Sequence, residues 1–458
     1  MIARQMAMGW LVVMGSAATY LWLTGGWFHL ELLPVSEHVR DRGLLSVFDW
    51  SLFDVNPARL RPLSDLAEVV DAMMRPRTVW LLGHHASLSL LGVLIAVACP
   101  AFFHRALRSI GLSRIEALVI TAFFIATIGY LSCFVPYIRP AKRLALLGLC
   151  AVLYLAFTFS KTRSDLTLGW LFAALFLSFF ADEAAFAYWP IVLLFVSPML
   201  RGARLAAYFA LPVVYLLVAK VLLPPIYGVL GNAGPRDGVI AGSMVTKLLE
   251  SFVSLDFWTL AADDLARSVA ASLGTLSVPV LFIVAGIIVI AGYALARRAW
   301  MVFAATLSLV GASFFLSMLD MVNTSRNYMG EWTYYYHSPI AVLTVLWLAL
   351  IYACIRPASR NVRIALACGL ATISVLNLAN FYRINELIRI MHVYPIGQLN
   401  PRIYDPEGLA KRFEFLLTVG PLPEAEGLRA QFAYYRNQPM GTKEYADRLE
   451  GTYRRTLR

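Results

Sequence analysis

The chain has 458 residues, 59% of them hydrophobic and only 15% charged, with a mean hydropathy of +0.67. Soluble domains are about half apolar and a quarter charged, so composition excludes an ordinary soluble protein and indicates a polytopic membrane protein. The formal net charge of +11 does not indicate nucleic-acid binding, because most basic residues fall in short turns between apolar runs, where they set topology.

A membrane-spanning helix needs about 20 predominantly apolar residues. The first apolar run, near 8–25, has no clear small-residue cleavage site after it. It reads as a retained first helix and signal anchor. Ten further runs follow, near 78–100, 114–135, 143–160, 166–181, 184–199, 204–224, 275–296, 299–319, 339–356 and 362–381. The expected fold is therefore all-α, with about eleven transmembrane helices in a domain spanning 1–381 and a helical tail over 382–458. The fifth and sixth runs are short and meet at Asp182-Glu183; fused into one helix, they would reduce the count to ten. With the N-terminus inside, Arg105/Arg108/Arg114, Lys161/Arg163, Arg201/Arg204, Arg297/Arg298 and Arg356/Arg360/Arg363 all fall in cytoplasmic turns. This positive-inside pattern favours eleven.

The five cysteines, Cys99, Cys133, Cys150, Cys354 and Cys368, lie mostly in apolar runs with no CxxC pair. They read as small buried hydrophobes rather than as a disulfide framework or metal site.

The polar segments then collect on the outer face. The first loop, 27–77, carries Glu31, Glu37, His38, Asp41, Asp49, Asp54 and Asp65 and reaches Arg61-Pro62. Within it, 44–53 and 63–74 read as short amphipathic helices along the membrane interface, the second with Asp65, Glu68 and Asp71 on its polar side. Proline requires an extended residue before it, which separates the two helices and can direct Arg61 inward. Arg139, Lys142 and Arg143 break the positive-inside pattern; they are structural or are held outside for a purpose. A second large loop covers 225–274. Arg326 precedes the aromatic cluster Tyr334-Tyr335-Tyr336. An interfacial aromatic belt explains the tyrosines; a guanidinium beside a membrane entry also suits a lipid phosphate. His84 and His85 near the second run read as packing residues, with no ligand partner at helical spacing. Two adjacent acids, Asp182 and Glu183, are either a solvated turn or a carboxylate pair facing a polar cavity. In the tail, 407–417 and 424–435 carry helical periodicity.

In order and sidedness these features resemble the GT-C superfamily of polytopic glycosyltransferases. The matching elements are an acidic first outer loop ending in Leu60-Arg61-Pro62-Leu63-Ser64, then Gly83-His84-His85-Ala86-Ser87 at the second span. They continue with Asp182-Glu183 after the fifth span and a late outer loop from Arg326 to Tyr336. The resemblance covers about 8–340. It implies transfer of a sugar from a polyprenyl-phosphate donor to a glycan, lipid or protein acceptor. One departure is clear: where many relatives carry an acidic pair after the first span, this chain has Glu37, with Asp41 one helical turn on.

Such chemistry needs a base for the acceptor hydroxyl and cations for the departing phosphate. The expected catalytic group is Glu37 or Asp41, with Asp182 and Glu183 as a second acidic site. The expected substrate-binding group is Arg61, His85, Arg139, Lys142, Arg143, Arg326 and Tyr336. Protein cations can neutralise one phosphate, so the mechanism requires no metal or other cofactor. Alternatives are a surface-glycan polymerase or ligase, a transporter, and a non-catalytic scaffold. A polymerase is expected to gather arginines in one large late loop, whereas 225–274 holds only Arg236 and Arg267, with Lys247. A transporter needs charged or broken helices near the midplane. The expected location is a bacterial inner membrane, with active face and C-terminus outside.

Overall fold

The computed structural model describes residues 39, 42–48, 61–74, 79–81, 84–86, 90–134, 140–230, 253–272, 280–323, 338–356, 359–399, 401, 405–419, 428–429 and 432–433. Among the described residues the fold is helical apart from one small hairpin. A 3-10 turn, Gly43–Phe48, precedes α1 (Pro62–Met74). Strands β1 (Val79–Leu81) and β2 (His84–Ala86) pair antiparallel, with Trp80 opposite His85. Then come α2 (Leu90–Ser109), α3 (Arg114–Ile125), α4 (Ile128–Ser132), α5 (Pro140–Thr162) and α6 (Asp165–Ala181). A 3-10 segment, Glu183–Ala187, leads into α7 (Tyr188–Val196). Next, α8 (Ala203–Leu217) runs through a π-helical turn, Val218–Leu222, into α9 (Leu223–Leu230). The remainder is α10 (Leu255–Ser272), α11 (Val280–Ala296), α12 (Trp300–Asn323), α13 (Ser338–Ile355), α14 (Arg360–Leu399) and α15 (Pro406–Thr418).

Among the described residues, four helices are long and apolar enough to cross a membrane: Leu91–Ser109, Ala141–Thr162, Ser338–Ile355 and Asn361–Met391. The protein is thus an integral membrane protein by length and composition of its helices. Shorter apolar helices cover Asp165–Ala181, Ala184–Met199, Ala203–Leu217, Leu281–Ala296 and Trp300–Leu316. The first expected span, 8–25, lies outside the described residues. The second begins later than expected, at Leu90, because 79–86 form the hairpin. The third is broken: α3 ends at Ile125 with Ala126 as its cap, and Thr127 caps α4 by accepting from the Tyr130 N–H.

The core joins α2 to α7 with α12 and α13, around Phe103, Phe124, Leu153, Phe179, Phe195 and Leu346. Unlike a soluble bundle, the perimeter is apolar as well. Helix α11 leaves Leu281, Phe282, Ile288 and Val289 exposed, which suits contact with lipid.

Two ends of the bundle differ chemically. At one, α5, α11 and α13 are followed by Arg163, Arg298 and Arg356, each in the left-handed region normally taken by glycine. The cation complements the helix C-terminus, at the expense of some backbone strain. There Ser113 and Glu116 form a capping box on α3. The Glu116 carboxylate also accepts from Tyr352 Oη and Arg356 at 2.9 Å each. The α2–α3 turn is thereby tied to the end of α13.

Candidate functional site: a buried charge cluster at the other end

Helix α5 runs away from Lys142 for about 20 residues, reverses at Arg163-Ser164, and α6 returns over 17 residues to Ala181. The two antiparallel helices have nearly equal rise, so Lys142 and Asp182 arrive at the same level although 40 residues apart. Close packing fixes this register. A Cβ built on Gly148 of α5 would stand 2.2 Å from Ser178 Oγ of α6, so only glycine allows the helices to approach this closely.

Asp182 is 1% exposed. Its backbone is extended, which turns the chain from α6 into the 3-10 segment. Oδ1 accepts from Lys142 Nζ at 3.0 Å and from the Ala184 N–H at 2.8 Å. Oδ2 lies 2.9 Å from Lys142 Nζ and 3.8 Å from an Arg61 guanidinium nitrogen. Burial alone would raise this carboxyl, but Lys142, Arg61 and the Ala184 N–H outweigh it and hold the pKa at about 2.

Lys142 sits in the first turn of α5, where a cation opposes the helix dipole; Asp182 offsets that disadvantage. Arg143, its neighbour, is also buried. It donates through Nε to the Cys133 carbonyl at 3.1 Å and lies over the Phe134 ring. It therefore fastens the end of α4 to α5. Tyr188 reinforces the same layer, donating to the Ala145 carbonyl at 3.0 Å.

Arg61 arrives from the first loop. It precedes α1, which packs on α2, α5 and α6. Helix α1 buries Ser64, Glu68 and Asp71, whose i, i+4, i+7 spacing puts them on one side, along with Ala67 and Val69. The expectation grouped Asp65, Glu68 and Asp71 on the polar side of an interfacial helix; in the structure Glu68 and Asp71 are buried and Asp65 is half-buried. Val69 packs instead with Val39 and Val47 of the preceding segment.

Of the residues singled out in the sequence, the fold thus brings together Arg61, Lys142 and Asp182, with Arg143 beside them. Glu37, Asp41, Arg139, Arg326 and Tyr336 lie outside the described residues. The side chains of Glu183 and His85 do too, although Glu183 opens the 3-10 segment and His85 stands in β2. Val39, which stands between Glu37 and Asp41 in sequence, is anchored on α1 through Val69. Sequence reasoning missed the inward set of Ser64, Glu68 and Asp71. The only signal was their helical spacing, which gives a common face but not its direction. Among the described residues no three His, Cys, Asp or Glu side chains converge to hold a metal ion.

Chemically, Asp182 held near 2 remains ionised and is a weak base at neutral pH. It orients Lys142 and Arg61. Of those two, Arg61 is the more exposed, with 14% of its side chain accessible against 9% for Lys142. Comparison with family models, curated proteins and solved structures gives no match.

Proposed function

We propose that the protein is a membrane glycosyltransferase of the GT-C kind, transferring a sugar from a polyprenyl-phosphate donor to a glycan, lipid or protein acceptor. The observation that carries this reading is the Arg61–Asp182–Lys142 cluster. Three separate polar interruptions of an apolar chain meet at one end of its helices, where a lipid phosphate could meet a guanidinium while its tail remains in the bilayer. In this reading eleven spans place the cluster on the outer face of a bacterial inner membrane, opposite the arginine-capped helix ends.

The reaction is a direct displacement at the anomeric carbon with inversion. The acceptor oxygen forms the new bond as the bond to the phosphate oxygen breaks. Glu37 or Asp41 takes the acceptor proton, and the phosphate departs toward cations supplied by Arg61, Arg139 and Arg326. Asp182 acts as a positioning residue that holds Arg61 and Lys142.

The test is transfer from radiolabelled polyprenyl-phosphate sugars in membranes containing wild type, Glu37→Gln, Asp41→Asn or Asp182→Asn. Wild type should transfer label, and one of the two first-loop variants should lose more than about 100-fold, in line with removal of a general base. Failure of wild type with every such donor would overturn the reading. Full activity in both first-loop variants would remove Glu37 and Asp41 as the base.

A further inference from the structure

We propose that α2 carries a proline hinge at Pro100 and that Tyr130 latches it. Proline has no backbone N–H, so a proline inside a helix leaves open the carbonyl four residues before it. Pro100 stands inside α2, and the carbonyl it leaves open is that of Ala96. Both residues belong to Leu91–Ser109, a stretch long and apolar enough to cross a membrane, where no water takes up the missing bond. The Tyr130 hydroxyl takes it up. Its Oη donates to the Ala96 carbonyl at 2.7 Å, and Tyr130 and Ala96 are each 1% exposed. A donor 34 residues away in sequence thus stands in for the N–H that proline lacks.

The same substitution recurs at two other breaks. Pro212 inside α8 opens the Tyr208 carbonyl, and Trp189 Nε1 of α7 donates to it at 3.1 Å. Pro198, just past α7, has no N–H for the Leu194 carbonyl, and Trp300 Nε1 of α12 donates to it at 3.2 Å. Each time the donor is an aromatic side chain from another element, and the acceptor is the carbonyl that proline opens. The Tyr130 latch differs in what carries it. Helix α4 has only 5 residues and is set off from α3 by the break at Ala126-Thr127. The Tyr130 ring lies between Phe124 and Phe134, with centroids 5.0 and 4.9 Å away. Just past α4, the Cys133 carbonyl accepts from Arg143 Nε at 3.1 Å, and Arg143 adjoins Lys142 of the charge cluster. A shift of α4 that frees the Ala96 carbonyl therefore also pulls on Arg143. With the bond made, α2 holds one bend; with it broken, the two halves of α2 pivot at Pro100.

The full-length protein in lipid nanodiscs tests this with two readouts. The first is the melting temperature of wild type, Tyr130→Phe, Pro100→Ala and the double variant. Phenylalanine keeps the ring between Phe124 and Phe134 and removes only the hydroxyl. Tyr130→Phe should lower the melting temperature by several degrees when Pro100 is present. It should cause no such loss in the Pro100→Ala background, where the alanine N–H takes the Ala96 carbonyl. An equal effect in both backgrounds would show that the hydroxyl does not act for the proline, and would overturn the latch. The second readout is the distance between spin labels at Leu94→Cys, ahead of Pro100, and Leu166→Cys, at the start of α6, both on exposed side chains. The exposed native thiols Cys354 and Cys368 are first replaced by serine. With Tyr130 intact the distances should form one narrow distribution. Tyr130→Phe should broaden or shift it, and adding Pro100→Ala should narrow it again. A distribution that Tyr130→Phe leaves unchanged would show a break that does not pivot, and would overturn the hinge even if Pro100→Ala fails to fold.

Discussion

The charge cluster owes its form to what each residue costs alone. A buried ion pair gains little over a well-packed apolar pair, but removing one partner leaves a buried charge uncompensated, at about 3–5 kcal/mol. Asp182→Asn should therefore destabilise the protein by that order, and Lys142→Met likewise. The double variant should recover much of the loss, and thermal unfolding of the four proteins in one detergent measures the cycle. If the two single losses simply add, the pair is not coupled. The pH dependence has a definite sign. The Asp182 carboxyl lies below its ordinary value of 3.8 in the folded protein, at about 2. Its stabilisation is complete above the unfolded value and is lost as pH falls through about 2. Between pH 4 and pH 2 wild type should lose stability more steeply than Asp182→Asn; equal slopes would refute the assignment. At this scale the sequence was half legible. Asp182 was visible as an acid at a joint and Lys142 as a cation on the wrong side. Their pairing depends on the equal rise of α5 and α6, which no local pattern reveals.

Elements were most legible where an apolar run is long. The runs at 143–160 and 339–356 correspond to α5 and α13 within a few residues. They were least legible where a short apolar run has no period that separates strand from helix. Val79-Trp80-Leu81 and His84-His85-Ala86 were absorbed into a span for that reason, although they fold as a hairpin. Direction was the other blind spot: periodicity grouped Glu68 with Asp71 but did not show which way α1 turns them. Contact between α5 and α6 gives a prediction of its own. Gly148→Val adds a branched side chain where even a single Cβ would stand 2.2 Å from Ser178 Oγ. The helices must separate or shift register, at about 1–3 kcal/mol, and the Lys142–Asp182 pair one turn or more away is strained with them. A melting temperature near wild type would show that Gly148 is not a close contact. Ser178→Gly in the Gly148→Val background should restore part of the loss, which a nonspecific effect of valine would not allow.

At the scale of the molecule, α14 connects the two chemistries. Its 40 residues rise about 60 Å, roughly twice the hydrocarbon thickness of a bilayer. The first half exposes Val362, Ile364, Leu366 and Val375; the second half, from Ile384, has its own small core. There Leu387, Ile390, Met391 and Tyr394 pack on Phe413 and Leu417 of α15 and on Phe432. Arg383 donates to the Leu416 and Leu417 carbonyls at 2.6 and 3.2 Å, satisfying helix-end acceptors of α15. Glu386 meets both Arg389 and Arg412. Among the described residues α15 is therefore docked on the second half of α14, and Arg383→Met should loosen it by roughly 1.5–3 kcal/mol. Faster amide exchange over 406–418, with the bundle unchanged, is the expected result. In the proposed topology α14 begins beside the Arg356 turn and crosses as one helix, which predicts that α15 lies across the membrane from the arginine-capped ends of α5, α11 and α13. In sealed, right-side-out vesicles, a membrane-impermeant thiol reagent should reach a cysteine placed at Lys411 and miss one placed at Arg163. Reagent reaching both or neither from one side would mean that α14 does not cross, and the cap and charge cluster would then have no common side to share.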